Sequence, residues 1–108
     1  MQAPETEIVD SLIVEQHSGS VSGSTYVGLT STKKIRGMVL QCPNVGPFKN
    51  NWGEYLRFSL DGRQSWFTLG VGGVVGMEGN PSGNTVWLMS SAVSGVGYEA
   101  SLHVEGAY

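Results

Sequence analysis

Charge is scarce in this sequence. Of 108 residues, six are Lys or Arg and nine are Asp or Glu, 14% in all, where soluble domains carry about a quarter. A surface with so few ions is built largely from Ser, Thr, Asn, Gln, Gly and apolar atoms, and part of it is expected to be covered by partners. Cysteine occurs once, as Cys42, which excludes an internal disulfide and frees the fold from an oxidising compartment. Long apolar runs are missing too. Nothing approaches the roughly 18 residues of a membrane-spanning helix, and Met1 to Glu5 has neither the basic nor the apolar stretch of a signal peptide. No membrane partner is expected, and folding is expected in the cytoplasm.

Helical periodicity is also absent, and a period of two stands in its place. Tyr55 to Leu60 sets Leu56, Phe58 and Leu60 on one side, and Tyr98 to Val104 sets Tyr98, Ala100, Leu102 and Val104 on one side. That is the pattern of a strand with one dry face and one wet face. Further strands are expected at Thr25 to Leu29, Ile35 to Cys42, Ser65 to Leu69 and Thr85 to Ser90, with a bulged, glycine-rich strand from Gly70 to Met77. Asp61-Gly62 reads as a two-residue type I′ hairpin turn. The 16 glycines punctuate these runs without a G-X-Y period. The expected fold is a single-domain, all-β antiparallel β-sandwich of about eight strands, jelly-roll-like in type.

The charges that do occur are segregated. Residues 1–18 hold Glu5, Glu7, Asp10 and Glu15 and no Lys or Arg, whereas all six basic residues lie between Lys33 and Arg63. Residues 1–18 are therefore read as an acidic N-terminal arm and residues 19–108 as the sandwich. Ile8, Val9 and Leu12 are the arm's apolar contacts for a neighbouring subunit, and the chain is expected to be a homo-oligomer. The net charge of −3 argues against a nucleic-acid partner, which requires a clustered basic footprint.

Catalytic and metal-binding signatures are missing. His17, Cys42 and His103 are far apart in sequence, with no C-x-x-C or H-x-x-x-H spacing, and no G-x-S-x-G occurs. Cys42 closes an apolar strand before Pro43, a setting for a buried, inert thiol. Gly70 to Gly76 matches a phosphate loop only superficially, because no helix follows. No enzyme, metal or cofactor is expected. What stands out is the segment from Pro43 to Gly53, where Phe48 and Trp52 are interleaved with Asn44, Asn50 and Asn51. Aromatic rings in an Asn-rich loop offer stacking area beside hydrogen-bonding amides, so Phe48, Asn50, Asn51 and Trp52 are the candidate contact residues. Trp66 and Trp87 fall in strands and are assigned to the core or a sheet face.

The runs Ile35 to Gln41, Glu54 to Gly62, Leu69 to Gly73 and Val86 to Ser91, followed by a last strand, resemble those of small virion proteins of tailed bacteriophages. The resemblance covers about two thirds of the chain. It implies a compact sandwich or jelly-roll-like fold and a structural role as a capsid decoration or cement protein, or a head or tail accessory protein. The implied partners are other virion proteins, the major capsid or tail protein, and the implied location is the virion, after synthesis in the host cytoplasm. No catalytic residues come with it. The alternative is a carbohydrate-binding, lectin-like module that holds a glycan with the Pro43 to Gly53 loop.

Overall fold

In a computed structural model, residues 12–44 and 50–105 are described, and they form eight strands and one short 3-10 turn. The strands are β1 (Leu12–Val21), β2 (Val27–Thr30), β3 (Ile35–Gln41), β4 (Tyr55–Ser59), β5 (Phe67–Gly70), β6 (Val74–Glu78), β7 (Thr85–Ser90) and β8 (Val96–Glu105). Two four-stranded sheets, in the orders β1-β8-β3-β6 and β2-β7-β4-β5, pair antiparallel throughout. This is the all-β sandwich expected from the alternation, and its strand order is that of a jelly roll, in which successive strands alternate between sheets except at hairpins.

The core forms where the inward residues of both sheets meet. Met38, Leu40, Ala100, Leu102 and Val104 come from the β1 sheet, Leu56, Phe58, Val86 and Leu88 from the β2 sheet, and all are buried. Each of these positions follows from the period of two, since one face of every strand must turn inward.

Three local expectations differ from the structure. Gly70 to Met77 is not one bulged strand: β5 ends at Gly70 and β6 begins at Val74, with a turn between. The two strands belong to different sheets, so the chain must cross between layers at this point. Gly72 (φ 88°) allows the crossing, and Gly72 N–H donates to the Cys42 carbonyl at 2.7 Å while Cys42 N–H donates to the Gly73 carbonyl at 3.0 Å. The Asp61-Gly62 hairpin does join β4 to β5, but its register pairs Phe58 with Phe67, so the connection is longer than a two-residue turn. The Asp61 carboxylate organises it by accepting from Gln64 N–H, Ser65 N–H, and the Ser59 and Ser65 hydroxyls. These donors, the Ser65 hydroxyl foremost, hold the Asp61 carboxyl down at about 2. Finally, β1 runs unbroken across residue 18. Residues 12–18 of the expected arm are thus an edge strand of the sandwich, and residues 1–11 lie outside the described residues.

Candidate functional site

The connection between β3 and β4 is built on its buried members. Cys42 directly follows β3 and is fully buried, and burial pushes the thiol pKa up, against a weaker lowering by Asn50. A thiol so placed stays protonated and is no nucleophile. Asn50 is also buried. Its amide nitrogen donates to the Pro43 and Gly97 carbonyls at 2.9 and 3.0 Å, and its oxygen accepts from Gly97 N–H at 2.8 Å. Asn50 therefore pins the loop to β8, which corrects its assignment as a contact residue: an amide saturated by main chain has nothing left for a ligand.

Beyond Asn50 the chain turns outward. Glu54 N–H donates to the Asn51 carbonyl at 3.1 Å, and Asn51 N–H donates to Glu54 Oε1 at 3.0 Å, closing a turn with Gly53 (φ 92°) in its third position. Asn51 and Trp52 are displayed on that turn, Trp52 with 73% exposure. The ring of Trp52 is nonetheless held. It lies over Gly72, where an added Cβ would come within 3.0 Å of it. The Asn44 amide, oriented with its nitrogen 2.7 Å from the Asn50 carbonyl, offers its oxygen to Trp52 Nε1 at 3.2 Å. Phe48, Ile8 and Val9 lie outside the described residues, and Leu12 opens β1 opposite Glu105.

No family model, curated protein or solved structure matches this chain. The geometry of its surfaces carries the functional argument instead.

Composition did not single out the outer face of the β2 sheet. There the β4–β5 connection folds back so that the Arg63 guanidinium lies 4.7 Å from the Tyr26 ring centre and 4.6 Å from that of Trp87, while Trp66 stacks on Tyr26 at 5.6 Å. Trp87 stands opposite Gly28, and an added Cβ there would meet the indole at 3.1 Å. Trp87 is thus a sheet-face residue, one of the two places assigned to it, whereas Trp66 lies in the connection just before β5 and not in a strand. Pairing of Gly28 with Trp87 across β2 and β7 was the available signal, but it depends on a register that sequence does not print. The layer is closed on itself, each ring already carrying a partner.

The free edges differ more sharply. Edge strands β2, β5 and β6 have four, four and five residues, and shortness is itself a protection against pairing. β1 has ten residues and pairs only with β8 among the described residues. Its sequence, LIVEQHSGSV, has no Lys and no Pro, its register with β8 is free of bulges, and Ile13 and Val14 are 43% and 53% exposed. Lys, Pro and a bulge, three of the usual devices that blunt an edge, are thus missing from it, and Glu15 is its one acidic residue.

Two hollows also lie among the described residues. A cavity of about 250 Å³ opens between the sheets beside β6, lined mostly by apolar residues, Met38, Leu60, Met77, Pro81 and Val86 among them, with Glu78 and Asn80 as its polar members. A shallower trough of about 340 Å³ crosses the outer face of the β1 sheet at Gln16, Ser18, Gln41, Glu99 and Ser101. Among the described residues, no three His, Cys, Asp or Glu side chains gather as a metal-binding group.

Proposed function

We propose that this chain is a non-enzymatic structural protein of a virion, binding a capsid or tail lattice and stabilising the particle by burying its own surface there. The observation that carries the reading is the β1 edge. Ten residues present a row of main-chain N–H and C=O groups, flanked by exposed apolar side chains, and a strand from another chain satisfies those groups directly. The low charge content supports it as well, since covering an uncharged surface avoids the desolvation of ions. The likeness to small virion proteins of tailed bacteriophages supplies the kind of particle, and the jelly-roll order supports the reading by analogy at the level of fold. Sedimentation with phage heads and, separately, with phage tails tests it. The chain is expected to pellet with one of them and to raise its resistance to heat, and full recovery in both supernatants would overturn the proposal.

A second reading, a carbohydrate-binding module, draws on Trp52. A solvent-facing indole fixed over Gly72 and by Asn44 is a ready platform for a sugar ring, with Asn51 beside it for hydroxyls. A glycan-array signal that disappears in Trp52→Ala, together with no sedimentation on particles, would favour this module.

A further inference from the structure

The geometry points to a second copy of this chain as the occupant of the β1 edge, paired antiparallel about a twofold axis beside Gln16. The inference deepens the assembly reading and rests on it only for the premise that this edge is covered.

The inward face of β1 narrows the choice of register. Glu15 stands opposite Leu102 and His17 opposite Ala100, both buried core residues, so Glu15 and His17 face the inside of the sandwich at its open margin. They are incompletely satisfied there. Glu15 accepts from the Ser31 hydroxyl at 3.1 Å, but His17 Nε2 lies 3.6 Å from Glu15 Oε1, too far for a hydrogen bond. That nitrogen is shielded from solvent and has no partner among the described residues.

Continuing the sheet across a twofold axis keeps inward residues opposite inward residues, because a slip of one residue would turn each side chain to the wrong face. The axis therefore falls beside a residue and not between two. Beside residue 15 it would oppose Glu15 to the partner's Glu15, and beside residue 17 it would oppose two imidazoles. Beside Gln16 it places Glu15 opposite the partner's His17 and His17 opposite the partner's Glu15, so a carboxylate stands across from an imidazole at two symmetric places. The two sheets become one of eight strands, and the polar troughs of the two copies meet at the paired Gln16 side chains on its outer face.

Analytical ultracentrifugation of the full chain at micromolar concentration tests the occupant, and substitutions test the register. The chain is expected to sediment as a dimer. His17→Glu sets carboxylates against each other at two symmetric places, Glu15→Lys removes the carboxylate from both, and each is expected to weaken the dimer roughly tenfold. The double variant Glu15→His with His17→Glu, which exchanges the pair, is expected to recover it. Gln16→Cys should cross-link under mild oxidation, since its Cα atoms would stand about 5 Å apart across the axis. Ser18→Cys should not, its two copies being about 13 Å apart. Circular dichroism of each variant separates lost pairing from lost folding, and Cys42 is buried and does not compete. A monomer without a position-16 cross-link overturns the inference, as does a dimer indifferent to both single substitutions. A monomer that still pellets with particles removes this inference alone, whereas a dimer that pellets with none removes the virion reading alone.

Discussion

Trp52 and Trp66 lie in the two connections that flank β4, and the structure uses them in opposite ways. Trp66 is laid against Tyr26 in a layer that Arg63 extends to Trp87, so the second connection closes over its own sheet. Trp52 is carried out on a turn with 73% exposure, and among the described residues of the first connection the buried anchor is an amide, Asn50. Both loops carry a tie to the sandwich. What differs is which group is the anchor: an aromatic stack in one, a saturated amide in the other. The lesson is that an aromatic loop displays a ring only when something else holds the loop down.

The largest change to this contrast is expected from Asn50→Ala. It strands buried main-chain groups at Gly97 and Pro43 together and should lower the unfolding free energy by about 3 kcal/mol, measured by denaturant titration. Gly72→Ala comes next. A side chain at φ 88°, 3.0 Å from the Trp52 ring, should cost about 2 kcal/mol and shift the indole fluorescence, which would show that the displayed ring is seated and not loose. Arg63→Ala removes two cation–π contacts and should cost about 1 kcal/mol, whereas Trp52→Ala should stay within about 0.5 kcal/mol. Equal losses in these two variants would erase the distinction between the closed loop and the displaying one. The smallest effect appears only in acid. The Asp61 pKa is depressed to about 2 in the folded chain, so its contribution is complete above the unfolded value near 4 and is lost as pH falls through about 2. Thermal midpoints should thus fall less steeply from pH 4 to pH 2 in Asp61→Asn than in the parent chain.

Much of the fold was legible because burial acts on local alternation. Leu56, Phe58, Ala100, Leu102 and Val104 face inward as a period of two requires, and Asp61-Gly62 marks a true hairpin. The departures arose where distant partners decide. Gly70 to Met77 carries residues suited to a strand, but its halves serve different sheets, which no local window contains. Asn50 looked like a ligand contact because composition cannot tell a displayed amide from one saturated by Gly97, 47 positions away. His17 stands inside a ten-residue strand opposite Ala100, a place set by the pairing of β1 with β8 and not by its neighbours in sequence.

The sequence by itself determined an all-β chain with a dry and a wet face to its strands, a hairpin at Asp61-Gly62 and a surface poor in ions, because each of these depends on residue type and on neighbours one or two positions away. Only the tertiary structure decided which strands stand at the edges, that β1 is the long one left open among the described residues, and that Arg63 lies against both Tyr26 and Trp87. Those outcomes follow from pairing between segments tens of residues apart, where register is set by the packing of the whole sandwich.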